Sequence, residues 1–128
     1  MRALLSGLEN NSFNPLDLIE DVVVANDWPH NRADNDTLYV EVGGEWCDYQ
    51  LTLAWSNDHK LLQYTWTYNI KVPLKKYYSL YSLLNKINLN ISCGHFELWI
   101  DEGYLMYRNS LISFDYSSIT PEKIEYIL

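Results

Sequence analysis

The chain has 128 residues, 48% of them hydrophobic and 15% aromatic, with 9 Lys plus Arg against 17 Asp plus Glu and a formal charge of -8. This apolar content suffices for one core and excludes intrinsic disorder, while the length is too short for two independent domains. The acid excess repels polyanions, and Lys75-Lys76 is the sole basic pair, so neither nucleic acid nor an anionic membrane is an expected partner.

Two cysteines, Cys47 and Cys93, stand in no metal-ligand spacing and are too sparse for a disulfide scaffold, which fits a reduced, cytoplasmic setting. The opening "MRALLSGLENN" lacks the apolar length of a signal peptide, and no stretch reaches the roughly 20 apolar residues of a membrane span. Residues 1–12 read as a loosely held lead-in and residues 13–128 as a single domain.

The first firm signal is "NPLDLIEDVVVANDW". Asn14 can cap free amides, Pro15 suits the first helical position, and Asp17 and Glu20 lie near the positive helix end. Leu16, Ile19, Val22 and Val23 share one face, so an amphipathic helix ending near Asp27 is expected. The following "WPHNRADNDT", residues 28–37, is dense in turn formers and reads as a loop.

Strands are expected at residues 38–42 and 46–55. A two-residue turn at Gly43 and Gly44 would set Val42 opposite Glu45, Val40 opposite Cys47 and Leu38 opposite Tyr49. A four-residue turn over residues 57–60 sets Trp55 opposite Leu62, Leu53 opposite Tyr64 and Leu51 opposite Trp66. The third strand then points Leu62, Tyr64, Trp66, Tyr68 and Ile70 inward and Gln63, Thr65 and Thr67 outward, which describes a sheet buried on one side.

Pro73 ends that strand and opens a helix through about Ile87, with Tyr77, Leu80, Leu83, Leu84 and Ile87 at helical spacing. "GHFELWIDEG" supplies a fourth strand, and "YLMYRNSLISF" a fifth after a turn at Glu102 and Gly103. "TPEKIEYIL" starts a last helix, with Thr120 as cap and Pro121 at the first position; two turns are marginal, so this helix is expected to be truncated or firmly docked. The expected fold is α+β, a two-layer α/β sandwich in the order α-β-β-β-α-β-β-α, with helices on one face of an antiparallel sheet.

The best case for chemistry is "GHFELWIDEG", where His95, Glu97, Trp99 and Asp101 alternate away from Phe96, Leu98 and Ile100. Across a two-residue turn Glu97 would face Arg108, Trp99 would face Met106 and Leu98 would face Tyr107, which is ordinary cross-strand pairing. The functional alternative makes His95 and Glu97 a base with its orienter, or part of a small-molecule site completed by Asp101 and Arg108. His30 and His59 share no motif with His95, so no metal or other cofactor is expected. Asp34 and Asp36 lack the glycine and twelfth-position acid of an EF-hand, and no P-loop, G-x-G-x-x-G, G-x-S-x-G, H-E-x-x-H or C-x-x-C motif occurs.

Trp28, Trp46 and Trp99 fall where an aromatic need not be core: a helix end, a hairpin mouth and the outer sheet face. With His95, Glu97 and Arg108 they form the expected protein-interaction surface.

Taken in order, "NPLDLIEDVVVANDWP", "VEVGGEWCDYQLTLAW", "KVP" and "GHFELWIDEG" resemble the YbjN-type domain proteins of bacteria over residues 14–109. The resemblance implies a fold like that of type III secretion chaperones and a role in sensory-transduction regulation, with no catalytic residues to carry over. Such proteins usually continue through a longer last helix than the one read here. The first expectation is therefore a non-catalytic, homodimeric interaction module with a protein partner; the alternative is a sensor or enzyme built around His95 and Glu97.

Overall fold

In a computed structural model that describes residues 14–112, helix α1 spans Pro15–Ala25 and begins as its sequence predicts. Asn14 Oδ1 accepts from the Leu16 amide at 2.9 Å, Pro15 occupies the start, and Leu16, Ile19 and Val23 are buried. Each such aliphatic side chain removed from water contributes about 1.5–3 kcal/mol, which is what holds an 11-residue helix on the sheet.

Six antiparallel strands follow: β1 His30–Asp34, β2 Thr37–Gly43, β3 Asp48–Ser56, β4 Leu61–Lys71, β5 His95–Trp99 and β6 Tyr104–Ile112. Their order across the sheet is β1-β2-β3-β4-β6-β5. Helix α2, Tyr77–Asn90, preceded by a 3-10 turn at Leu74–Lys76, connects β4 to the far edge. The fold is α+β, an open antiparallel sheet with two helices among the described residues; the lead-in and the last predicted helix lie outside them.

Strand β1 corrects the loop expected over residues 28–37, and with it the predicted element order. It carries no apolar alternation because it is an edge strand, held by backbone pairing to β2 and by its Arg32 side chain. That guanidinium reaches Asp17 at 3.0 Å, Glu20 at 3.1 Å and the Asn35 carbonyl at 2.7 Å, so the edge is tied to α1.

The β3–β4 register is the predicted one, with Trp55 opposite Leu62, Leu53 opposite Tyr64 and Leu51 opposite Trp66. The β2–β3 register is displaced: Val42 faces Tyr49, Val40 faces Leu51 and Leu38 faces Leu53. A type I′ Gly-Gly turn needs positive φ, which neither Gly43 nor Gly44 adopts. The four residues 44–47 form the connection instead, and Leu51 and Leu53 gain apolar partners that Cys47 and Tyr49 would have taken. A shift of four residues keeps every side chain on its expected face.

Leu38, Val40, Leu51, Leu53, Trp55 and Leu62 share one sheet face, and α1 packs on them to form the main core. On the same face α2 places Tyr77 and Leu84 against Leu98, with Leu80, Phe96 and Leu105 at the margin. Leu83, expected in that stripe, is exposed, because the buried face of α2 centres on Tyr77, Leu84 and Leu80. Ile70 is likewise exposed: four residues of β4 from Thr67 to Lys71 span only two of β6, so the alternation fails there.

The opposite sheet face bears no described helix. Tyr39, Thr52, Thr65, Arg108 and His95 form one row across it, and Glu41, Gln50, Thr67, Met106 and Glu97 form the next.

Candidate functional site

On this open face β5 and β6 bring His95, Glu97 and Arg108 together, but not in the predicted register. The turn over residues 100–103 has four residues, with the Glu102 and Gly103 amides both donating to the Trp99 carbonyl, at 3.2 and 2.6 Å. Gly103 supplies the left-handed φ of +80° that closes it. His95 therefore faces Arg108, Glu97 faces Met106, Leu98 faces Leu105 and Trp99 faces Tyr104, two residues away from the expected pairing.

The Glu97–Arg108 ion pair forms all the same, along the diagonal: Arg108 Nη1 donates to Glu97 Oε1 at 2.9 Å. His95 Nε2 lies 3.5 Å from the other Glu97 oxygen. One carboxylate thus sits between the Arg108 guanidinium and the His95 ring, with 52% of the His95 side chain and 47% of the Arg108 side chain exposed. At that exposure such pairs contribute about 0–1 kcal/mol. Asp101 stands in the exposed turn and takes no part in these ion pairs.

The three tryptophans separate. Trp28 is half-buried against the main core, Trp46 is 84% exposed in the β2–β3 connection, and Trp99 is 47% exposed beside Tyr104. Among the described residues no three His, Cys, Asp or Glu side chains gather as a metal site, and no helix is long and apolar enough to cross a membrane.

Two features carried no signal in the linear reading. The first is a cavity of about 480 Å³ at the end of the sheet, lined by Glu41, Asp48, Gln50, Thr67, Trp99 and Tyr104 among others. Its residues come from five strands or their ends, so only the register reveals it. The second is the outward side of α2, where Tyr78 and Leu89 are exposed, with Leu83 exposed on another side of the helix and Leu74 in the 3-10 turn before it.

Near the cavity, Tyr49 packs edge-on against Trp66 and Tyr68. Burial raises the Tyr49 phenol above its ordinary value, with Cys47 and Glu45 adding to the effect. Burial does the same for Tyr68, with Tyr49, Cys47 and Tyr107 as further causes.

Residues 15–128 match a family model for YbjN, described as "Putative bacterial sensory transduction regulator". No curated protein matches the chain.

Proposed function

Because the chain belongs to the YbjN family, we propose that it is a non-catalytic regulatory module that acts by protein interaction and pairs with a second copy of itself through α2. The observation that carries this reading is the far side of that helix. Tyr78 is 87% exposed and Leu89 75%, and Leu74, 78% exposed, stands in the 3-10 turn just before the helix. A helix with apolar side chains on both its inner and outer sides is normally covered on both.

A second copy suits this side because Lys86 is the only charged residue in the 14-residue helix. In a chain of net charge -8, two copies meet there away from the acids that repel, and a two-fold axis lets one acid-free surface, with Lys86 in the helix and Lys75 and Lys76 before it, serve both sides. The sheet with helices on one face is consistent with the type III secretion chaperone-like architecture, and the free thiols of Cys47 and Cys93 suit a cytoplasmic setting. His95, Glu97, Trp99 and Arg108, with the exposed Trp46, are the proposed seat for a partner protein, to which half-buried Trp28 offers only its rim.

A sensor or enzyme at His95 and Glu97 has less support: His95 and Arg108 line a hollow of about 400 Å³, but Glu97 is taken up by both of them and all three side chains are a third or more exposed. Light scattering after size exclusion tests the main reading. A dimer is expected at roughly 100 µM, well above a micromolar dissociation constant. The Tyr78→Glu, Leu89→Glu variant should be a monomer with an unchanged circular dichroism spectrum. A wild-type monomer at that concentration would overturn it.

A further inference from the structure

We propose that the cavity at the end of the sheet binds an organic cation, an alkylammonium or alkylguanidinium group. Two carboxylates line it, Glu41 and Asp48, and no Lys, Arg or His does. Both lie on the open face, since Glu41 pairs with Gln50 and the next residue of that face, Gly43, pairs with Asp48. Asp48 Oδ1 lies 3.9 Å from where a Gly43 side chain would begin, so that carboxylate leans over the bare glycine on the Glu41 side of the strand pair.

Neither acid belongs to any ion pair among the described residues. Like charges on neighbouring strands repel, and nothing described in the chain neutralises these two. A ligand of positive charge would.

The remaining walls select the kind of cation. Trp99 and Tyr104 face each other across β5 and β6 on this side, and nearly half of Trp99 is open to water. Aromatic faces attract weakly hydrated organic cations through the ring quadrupole, and Trp does so best. Gln50, Thr67 and Asn69 add neutral oxygens able to accept from N–H groups. A hard divalent ion would need more oxygen ligands and gains nothing from rings, while an anion is repelled. The hollow lies beside the β4 irregularity between Thr67 and Lys71, from which Thr67, Tyr68 and Asn69 line it.

Its acids, Trp99 and Tyr104 lie on the sheet face opposite α2, Tyr49 and Tyr68 reach it from the other face, and Leu74, Tyr78 and Leu89 take no part, so it is tested equally well on a monomer. The experiment titrates butylguanidinium and butylammonium into the full chain, followed by tryptophan fluorescence and amide NMR shifts. Butanol, butanoate and glucose serve as the neutral, anionic and sugar controls. Both cations should bind saturably, with shifts centred on Glu41, Asp48, Gln50 and Asn69, and added salt should weaken binding. The near-isosteric Glu41→Gln, Asp48→Asn variant should bind about tenfold more weakly or worse, and Trp99→Ala should also lose affinity. Asp58→Asn, an exposed acid in the β3–β4 turn outside the cavity, should not. Absence of saturable binding overturns the proposal. So does equal binding of butanol or glucose, or unchanged affinity in the double-acid variant.

Discussion

Asn88 of α2 and Phe96 of the edge strand β5 exchange two hydrogen bonds: the Phe96 amide donates to Asn88 Oδ1 at 2.8 Å, and Asn88 Nδ2 donates to the Phe96 carbonyl at 2.9 Å. A side-chain amide thereby takes the place of a seventh strand at this position. The edge that would otherwise offer a template for pairing is occupied by the chain's own helix.

Replacing Asn88 with Ala should cost about 1–3 kcal/mol, since a part-buried amide and carbonyl both lose their partner. Urea denaturation followed by circular dichroism measures it. The expected result is a lower midpoint with an unchanged slope; an unaltered midpoint would mean that water replaces the side chain without loss.

Gly94 and Gly43 should differ sharply in their response to alanine. Gly94 has φ +68°, and a Cβ there would collide with the Tyr107 phenol, whose hydroxyl donates to the Cys93 carbonyl at 2.9 Å. The left-handed backbone alone costs about 1–2 kcal/mol for a residue with a side chain. Gly43 has no positive φ, and its nearest neighbour is at ordinary contact distance, so Gly43→Ala should shift stability by under about 1 kcal/mol. Parallel thermal melts of the two variants decide the matter.

The raised Tyr49 and Tyr68 phenols make stability pH-dependent on the alkaline side. Each holds its proton more tightly in the folded chain than at the unfolded value of 10.0. Their contribution is whole below that pH and is lost as pH rises through the raised folded values. Urea midpoints measured between pH 8 and above about 11 should fall for the wild type and fall less steeply for Tyr49→Phe, Tyr68→Phe.

Arg108→Ala should change stability by less than about 1 kcal/mol, because its bond to Glu97 is made in water. A double-mutant cycle with Glu97→Ala isolates the pair. A coupling well above that value would make the cluster a structural tie.

The β3–β4 pairing was legible because the polar run at residues 57–60 sets the length of the turn, and with it the register in which Trp55, Leu53 and Leu51 meet Leu62, Tyr64 and Trp66. Gly43-Gly44 misled because glycine permits a tight turn without requiring one, and burial of Leu51 and Leu53 set the register instead. Strand β1 was invisible for the opposite reason: Arg32 and backbone pairing hold it, and neither leaves a hydrophobic period. Within the candidate site, the Glu97–Arg108 contact survived an error of two residues because long side chains reach along the diagonal. The pairing of Glu41 and Asp48 at one end of the sheet carried no linear signal, since it exists only once Gly43 is known to face Asp48.

The Arg32 clasp also decides how the molecule comes apart. A five-residue edge strand would ordinarily be the first part of a sheet to fray, on its own and at small cost. Here one guanidinium grips Asp17 and Glu20 on successive turns of α1, while Asn14 at the start of that helix donates to the Asn35 carbonyl in the β1–β2 turn. Strand and helix should therefore open as one cooperative unit, the weakest margin of the sheet borrowing the helix's resistance to hydrogen exchange.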